Sequence, residues 1–382
     1  MKEIVLPRSK SIVIRYMIMN YLYNDQIMEI QENDAEDVKT VQCALLKIRD
    51  HKGSKSEFTT IDLKDCGAGF RFLMAVLVLT EGNWLLTGTS RLLERPIMPL
   101  IFTLRRIGAE IEEDQNGWKI IGKPGLTAYS ILIDCTQSSQ FATAIWLISQ
   151  KLGSPAFQTT PIHFPSESYL ELTKQVWGNF FLDGVPNEIE SDWSSAIYWY
   201  AYALLNPGKD FNIKELHYPS IQQDSIIVEW FKKWGLDTTL ISNGLKISSI
   251  KRNLIEPQEL DLKDHLDLAP VLLSMAVLYP FELTIRGISN LEYKESRRGI
   301  HLVNELRKFT TIETNLEETD SSEKYIKINK RSAPLPDVIH FDSYNDHRMV
   351  MAFQLFGSFS NIMINNSEVV KKSYPGFWFE NQ

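Results

Sequence analysis

The residues with the clearest chemical potential stand where a polar run enters an apolar segment. Lys10, Ser11 and Arg15 open a segment that stays apolar to about Leu22, which predicts a buried helix. Ser11 and Arg15 are four residues apart and therefore share one helical face. Free N–H groups and the helix dipole favour anions at such a start. The stretch predicts an anion site, and an ordinary capped helix with solvated charges is the alternative that it leaves open.

The same arrangement recurs along the chain. Near-fully apolar helices are predicted to begin near Ser9, Gly67, Ser138, Ser194, Asp267 and Asp346. Capping explains the serines and aspartates there. The arginines and lysines are repelled by the helix dipole, and an anion bound between them and the helix would offset that repulsion. The glycines at 67 and 69 would let a ligand approach the backbone closely. The third glycine of a dinucleotide fingerprint and the lysine of a P-loop are both missing from that stretch.

A carboxylate among cations is the candidate for acid–base chemistry. Lys294 and Arg298 are four residues apart, and Glu295 precedes Arg298 by three. If this segment is helical, the cations surround the carboxylate and hold it ionised unless burial counteracts them. A charged surface turn is the alternative reading. The seven histidines are scattered without metal-ligand spacing, so no metal is expected.

Bulk properties exclude several classes of protein. A chain of 382 residues is about right for two domains, and 44% hydrophobic residues can fill large cores. The net charge of −8 argues against a nucleic-acid binder without excluding small anionic ligands. Three scattered cysteines, the absence of a signal-peptide pattern and the lack of a long apolar run favour a cytoplasmic protein outside membranes.

An internal repeat predicts the fold class. Each apolar helix is followed by an amphipathic helix and then by a hairpin, with Asn-Gly turns at Asn116–Gly117 and Asn243–Gly244. The unit reads strand, buried helix, strand, amphipathic helix, hairpin. Six units, of which only the last is truncated, predict an α/β protein of two domains with three units each. Its parallel helices would be buried and its sheets would lie outside, which is an inverted α/β barrel.

Together the motifs resemble the signatures of the 5-enolpyruvylshikimate-3-phosphate synthase family. In order from Lys10 to Lys372, they are similar to its S-K-S-x-x-x-R, N-A-G-T-A-M-R, E-R-P, S-S-Q-F, S-x-x-Y, D-x-S-S-A, P-D-x-A, K-E-T-D-R, N-D-H-R-M and K-x-F-P signatures. The resemblance implies two domains of three βαβαββ units, residues 1–8 with 191–382 and residues 9–190. The chain would cross between them near Ser9 and Ser191. It also implies an active site in the interdomain cleft.

The resemblance implies transfer of the enolpyruvyl group of phosphoenolpyruvate to the 5-hydroxyl of shikimate 3-phosphate, with release of phosphate. The implied catalytic residues are Asp267 as base, Glu295 as acid and Lys10 in proton traffic. The implied residues for shikimate 3-phosphate are Lys10, Ser11, Arg15, Ser138, Ser139, Gln140, Ser166, Asp267, Asn290 and Lys294. Those for phosphoenolpyruvate are Lys10, Gly67, Arg95, Gln140, Arg298, Arg348 and Lys372. No cofactor is implied, and we expect a monomer whose partners are these substrates alone.

Departures from the signatures are few. They stand at Arg8, Asp65, Cys66, Ala68, Gly69, Ser191, Ser296 and Arg297. The last two replace the threonine and aspartate of K-E-T-D-R. We expect Arg297 to add a cation near Glu295 and to lower the pKa of that carboxyl. Affinity and inhibitor response, rather than the reaction type, depend on these departures.

Two other functions remain open at this stage. A sister enzyme of the same fold transfers enolpyruvyl to UDP-N-acetylglucosamine, typically with a reactive cysteine on a loop, but no cysteine lies between Cys66 and Cys135. A non-catalytic relative that only binds anions is the second alternative. The retained Lys10, Asp267 and Glu295 disfavour it, because binding alone needs neither a base nor an acid.

Overall fold

The protein divides into two compact units. The structure is a computed structural model, which describes residues 2–249, 256–279, 281–319 and 323–380. The C-terminal unit comprises Met1–Ser9 with Glu190–Gln382, and the central unit comprises Lys10–Ile189. The amide of Ser9 donates to the carbonyl of Glu190 over 2.8 Å, so the two chain crossings leave the C-terminal unit side by side.

Strands and helices alternate along much of the chain. The strands are β1 (Lys2–Ile4), β2 (Thr59–Asp62), β3 (Gly82–Thr87), β4 (Glu110–Asp114), β5 (Gly117–Gly122), β6 (Ser130–Asp134), β7 (Ala156–Thr160), β8 (Phe211–Lys214), β9 (Leu236–Ile241), β10 (Gly244–Ser249), β11 (Gln258–Asp261), β12 (Leu283–Arg286), β13 (Ile312–Thr314), β14 (Tyr325–Ile328), β15 (Val338–Phe341) and β16 (Asn361–Ile364). The helices are α1 (Lys10–Asn24), α2 (Glu36–His51), α3 (Gly67–Leu79), α4 (Ser90–Glu94), α5 (Met98–Arg106), α6 (Gln140–Ile148), α7 (Ser168–Asp183), α8 (Trp193–Leu205), α9 (Ile227–Lys233), α10 (Ala269–Leu278), α11 (Arg298–Leu306), α12 (His347–Gln354) and α13 (Phe377–Glu380). None of the described helices is both long and apolar enough to cross a membrane.

Three sheets repeat one topology. Their strand orders are β2-β3-β5-β4, β1-β8-β10-β9 and β11-β12-β14-β13, each with a parallel pair followed by an antiparallel hairpin. A Cβ at Gly117 would collide with the carbonyl oxygen of Leu86, and one at Gly244 with that of Ile213. The Asn-Gly hairpin turns predicted from the sequence are confirmed, and the two glycines are needed for the same reason.

The prediction that only the last repeat is truncated is wrong. The sheet β6-β7 has two parallel strands, as has β15-β16. Residues 25–35, between α1 and α2, contain no strand. The chain enters the C-terminal unit soon after α7 ends at Asp183, so residues 184–189 leave no length for a hairpin there.

Buried helices form the centre of each unit. In the central unit α1, α3 and α6 contact one another, and in the C-terminal unit α10 contacts both α8 and α12. Every residue of α3 from Phe70 to Val78 is buried, and so is every residue of α10. A helix without a polar face is stable in a globular protein only when other elements bury it on all sides. The predicted two-domain α/β fold with buried helices is therefore confirmed.

Candidate active site

The starts of three helices meet in the central unit. The ammonium of Lys10, at the start of α1, lies 3.0 Å from Oδ2 of Asp37 in the first turn of α2. The thiol of Cys66, which caps α3, lies 3.8 Å from the carbonyl oxygen of Asp37. One carboxylate thus holds the predicted catalytic lysine in place at this junction.

Arg15 is bound by the protein itself. It is 3% exposed, and burial lowers its pKa to about 10. Nη1 donates to the carbonyl oxygen of Ser11 over 2.6 Å, and Nε donates to the hydroxyl of Thr173 over 2.8 Å. Nη2 donates to the carbonyl of Tyr169, whose own amide donates to the carbonyl of Ser166. The structure therefore groups Ser11, Arg15 and Ser166 around the start of α7.

Gly67 lies against the guanidinium of Arg95. A Cβ at Gly67 would sit 2.5 Å from Nη1 of Arg95, so only glycine leaves this space. On the other side Arg71 donates to the carbonyl oxygen of Gly67 over 3.0 Å. The start of α3 is therefore lined by two guanidinium groups, an arrangement that suits an anion.

The start of α6 carries the three predicted polar residues. The hydroxyl of Ser138 accepts the amide of Gln140 over 3.2 Å, and Ser139 is the residue before the helix. Oε1 of Gln140 is buried and has no hydrogen-bond partner in the described part of the chain. The guanidinium of Arg71 in α3 lies 5.8 Å from the ring of Phe141 in the first turn of α6, so these groups belong to the same region as the start of α3.

The C-terminal unit gathers a charged cluster, which consists of Asp267, Lys294, Glu295, Arg298, Asp346, Arg348 and Lys372. Asp267 Oδ1 lies 2.8 Å from Nη1 of Arg298 and 3.2 Å from Nζ of Lys294. Nη2 of Arg298 lies 2.6 Å from Oε2 of Glu295. The remaining predicted cations are farther away, with Arg348 at 3.6 Å from Asp267 and Lys372 at 3.9 Å from Glu295. The predicted base and acid share one guanidinium.

Asp346 completes the charged cluster and was given no role from the sequence. It is fully buried and accepts Nε of Arg298 over 2.8 Å and the hydroxyl of Ser296 over 3.1 Å. It also caps α12 by accepting the amide of Arg348 over 3.0 Å. Its position before an apolar helix was the available signal, but that signal indicates a cap only.

The charges in the cluster shift one another's pKa values. Burial alone would raise the pKa of Asp267, but Lys294, Arg348 and Arg298 together hold it well below its usual range. Burial would lower the pKa of Arg298, and the carboxylates of Asp346, Glu295 and Asp267 raise it instead. Asp267 is therefore ionised and Arg298 protonated at every physiological pH.

The helical condition placed on the segment 294–298 is not met, and the expectation for Arg297 is wrong. The segment is not helical, because a 3-10 helix ends at Tyr293 and α11 begins at Arg298. Arg297 does not pair with Glu295, since its Nε lies 3.2 Å from Oε2 of Glu292. The two neighbouring arginines therefore contact different carboxylates. Glu295 is contacted instead by Arg298 at 2.6 Å and by Lys372 at 3.9 Å.

Of two further residues, Thr173 was missed by the sequence analysis and Asn290 was included in it. Thr173 accepts Arg15 and lies 3.2 Å from the hydroxyl of Thr143, but a threonine within an amphipathic helix gave no signal. Asn290 is buried in the 3-10 helix that leads to Lys294.

Among the described residues there is no group of three or more side chains that could hold a metal ion.

In this α/β fold, cationic side chains and paired carboxylates lie at the starts of buried helices. That arrangement is typical of enzymes that act on small anionic substrates. A sequence profile described as EPSP synthase (3-phosphoshikimate 1-carboxyvinyltransferase) matches residues 2–180 and 167–380. The chain belongs to this family.

Relatives agree along nearly the whole length. A 3-phosphoshikimate 1-carboxyvinyltransferase from Bacteroides fragilis is 30% identical over 398 residues, which cover 98% of this chain and 93% of the relative. One from Methanoregula boonei is 27% identical and covers 98% of this chain and 95% of its own. A solved EPSP synthase from Acinetobacter baumannii, 20% identical, has a TM-score of 0.66 and covers 99% of this chain and 94% of that one. The last likeness shows the fold.

The enzyme is a transferase of the shikimate pathway. It moves the enolpyruvyl group of phosphoenolpyruvate to shikimate 3-phosphate, in the biosynthesis of chorismate and the aromatic amino acids. Both substrates are small anions, which agrees with the cations found at the helix starts. The prediction of family and reaction is confirmed.

Proposed function

We propose that the charged cluster and the helix starts of the central unit act on the same two substrates. The observation that carries this proposal is the single guanidinium of Arg298, which contacts both Asp267 and Glu295. The reaction needs a base for an alcohol and an acid for a carbon atom, held at a fixed separation. A shared arginine supplies that geometry.

Phosphoenolpyruvate is bound in this proposal by cations from both units. Its phosphate and carboxylate are held by Lys10, Arg95, Arg298, Arg348 and Lys372, with the backbone of Gly67 and the amide of Gln140. The narrow space at Gly67 beside the guanidinium of Arg95 supports this assignment. Charge-assisted hydrogen bonds of this kind contribute about 1.5–3 kcal/mol each.

Shikimate 3-phosphate takes the remaining polar groups. The proposed contacts are Lys10, Ser11, Arg15, Ser138, Ser139, Gln140, Ser166, Asp267, Asn290 and Lys294. The hydrogen bonds that join Ser11, Arg15 and Ser166 through Tyr169 support a common binding region. An anion there would join groups that the fold already holds close together.

The chemistry follows from the two carboxyl groups. Asp267 accepts the proton of the 5-hydroxyl of shikimate 3-phosphate, while the hydroxyl oxygen forms a bond to C2 of phosphoenolpyruvate. Glu295 donates a proton to C3 of the same molecule. C3 then returns a proton to Glu295 as the C2–O bond to phosphate breaks, and Lys10 assists proton movement to the leaving phosphate. The strongly lowered pKa of Asp267 makes it a weak base in the free protein. Anionic substrates would neutralise the cations around it and raise its basicity.

The decisive experiment is phosphate release from phosphoenolpyruvate with two acceptors. Release with shikimate 3-phosphate and none with UDP-N-acetylglucosamine is the expected result, and the reverse would contradict it. Glu295→Gln should abolish turnover while substrates still bind. Release by that variant at the rate of the unchanged protein would favour the alternative of a non-catalytic anion binder.

Two further properties are part of the proposal. We place the enzyme in the cytoplasm, because Cys43, Cys66 and Cys135 form no disulfide among the described residues. We also propose a monomer, since the proposed site draws on one chain. Sedimentation at several concentrations tests the second statement, and fractionation of cells tests the first.

A further inference from the structure

A single carboxylate joins both ends of the segment that presents Lys294, Glu295 and Arg298. Glu292 lies in the 3-10 helix Ser289–Tyr293, just before that segment. Its Oε1 accepts the backbone amide of Ile300 over 3.2 Å, in the first turn of α11. Its Oε2 accepts Nε of Arg297, also over 3.2 Å. The chain from 292 to 300 is therefore a closed loop.

The bond to Ile300 is the one that a helix cap normally makes. Arg297 holds the capping position of α11 and makes no side-chain hydrogen bond to the helix. It cannot do so, because a guanidinium only donates. An aspartate at that position would accept the amide two or three residues on, and the family signature K-E-T-D-R carries an aspartate there. Glu292 supplies the missing carboxylate from the preceding turn.

Gly299 fits the same arrangement. A Cβ at Gly299 would lie 2.7 Å from Oε1 of Glu292. The glycine therefore leaves the space through which the carboxylate reaches the helix. Glu292 is largely buried, with 19% of its side chain exposed, whereas the side chain of Arg297 is 61% exposed. The carboxylate does the capping, and the arginine steadies it from the solvent side.

The electrostatics favour the same role. Arg297 and Arg298 stand at the start of α11, where the helix dipole repels cations. A carboxylate at this point offsets the repulsion between the helix dipole and both arginines. Since Arg298 directs its guanidinium to Asp267, Glu295 and Asp346, a small displacement of the first turn would move all these contacts.

We propose that Glu292, steadied by Arg297, replaces the capping carboxylate of α11 and is a positioning residue that holds Arg298 and Glu295 for enolpyruvyl transfer. This inference rests on the proposed roles of those two residues. Glu292 touches no substrate in this proposal. It acts through the backbone of the closed segment.

The test compares Glu292→Ala, Arg297→Asp and the double variant by steady-state phosphate release. Glu292→Ala should lower kcat/KM for phosphoenolpyruvate by about fivefold, the factor that corresponds to loss of one helix cap. Arg297→Asp returns a carboxylate to the capping position, so the double variant should recover most of the loss. Thermal unfolding of the same variants separates the roles, because a merely structural role would lower the melting temperature and leave the kcat/KM of the folded protein unchanged.

Glu313→Ala is the matched control, because Glu313 pairs with Lys327 on an exposed strand of the same unit. It should leave kcat/KM unchanged. If Glu292→Ala does not fold, Arg297→Ala, at an exposed site, should show a smaller loss of the same kind. Unchanged kcat/KM in Glu292→Ala, or no recovery in the double variant, would overturn this inference alone. Absence of phosphate release by the unchanged protein would instead overturn the proposed function.

Discussion

Arg298 and Glu295 are in direct contact, with 2.6 Å between Nη2 and Oε2. The same guanidinium reaches Asp267 through Nη1 and the buried Asp346 through Nε, each over 2.8 Å. Its planar fork therefore fixes the directions of three carboxylates at once. A lysine carries the same charge but concentrates it at one point. The arrangement depends on the shape of the cation as well as on its charge.

Arg298→Lys is expected to lower kcat/KM for phosphoenolpyruvate by about 10–100-fold, because each charge-assisted hydrogen bond lost is worth about 1.5–3 kcal/mol. Phosphate release at varied phosphoenolpyruvate measures this change. Arg307→Lys is the control, since Arg307 is exposed at the other end of α11. Equal effects of the two substitutions would contradict the role assigned to Arg298.

Gly67→Ala should raise the KM for phosphoenolpyruvate by about tenfold, the effect of losing one charge-assisted hydrogen bond from Arg95. The new Cβ would meet Nη1 of Arg95 at 2.5 Å and Cζ at 2.9 Å. The obstructing atoms are the far end of a flexible side chain, so the fold should adapt while the guanidinium moves. Thermal unfolding and initial rates separate the two effects.

Gly178→Ala is the control for that substitution. Gly178 lies within α7, and nothing lies within 4 Å of a Cβ placed there. Replacing a helical glycine by alanine stabilises by about 0.5–1 kcal/mol. Gly178→Ala should therefore raise the melting temperature and leave the KM unchanged. A normal KM in Gly67→Ala would separate Arg95 from substrate binding.

The sequence predicted the local structure at several helix starts and at two hairpins. The starts of α1, α3, α6 and α12 carry the polar residues expected of them, and the two Asn-Gly hairpins form as expected. These predictions rest on neighbours within a few residues, where chain geometry decides which groups meet. The positions of cations at the helix starts could be predicted from the sequence for the same reason.

The partners that act over long distances in the chain were not predictable in this way. Arg15 binds Thr173, which is 158 residues away, and Arg298 binds Asp346, which is 48 residues away. No spacing rule joins such pairs, because they depend on how helices pack. The expectation for Arg297 failed for a different reason, since its guanidinium contacts Glu292, a local partner five residues earlier in the chain.

Cys66 and Gly69 form a coupled pair where the family signature has two alanines. A Cβ at Gly69 would lie 2.9 Å from Sγ of Cys66 and 2.7 Å from Cγ2 of Val41. Gly69→Ala should lower the free energy of unfolding by about 1–3 kcal/mol, the cost of overpacking a buried site. The larger sulfur and the smaller glycine are therefore complementary.

Cys66→Ala in the Gly69→Ala chain should recover part of that loss, because one of the obstructing atoms is removed. The recovery is incomplete, since Cys66 also accepts the amide of Gly69 over 3.3 Å and Val41 still obstructs. Urea unfolding of the two single variants and the double variant measures the coupling. Strictly additive losses would show that the two positions are independent.

The lowered pKa of Asp267 predicts how stability depends on acid. Its folded-state pKa lies well below the ordinary value of 3.8, so the unfolded chain takes up this proton first as the pH falls. The stabilisation by the charged cluster is therefore complete above about pH 5 and is lost as the pH falls through 4 toward the folded-state pKa. Above that window Asp267 contributes no slope.

Asp267→Asn should accordingly flatten the fall in unfolding free energy between about pH 5 and pH 2, because the titrating group is gone. Urea unfolding at closely spaced pH values, with the variant subtracted from the unchanged protein, measures the difference. Asp337→Asn, an exposed change in the same unit, controls for the loss of one negative charge. A difference that appears between pH 6 and pH 8 would place the pKa of Asp267 far above its ordinary range. In that case Lys294, Arg298 and Arg348 would not be holding it ionised.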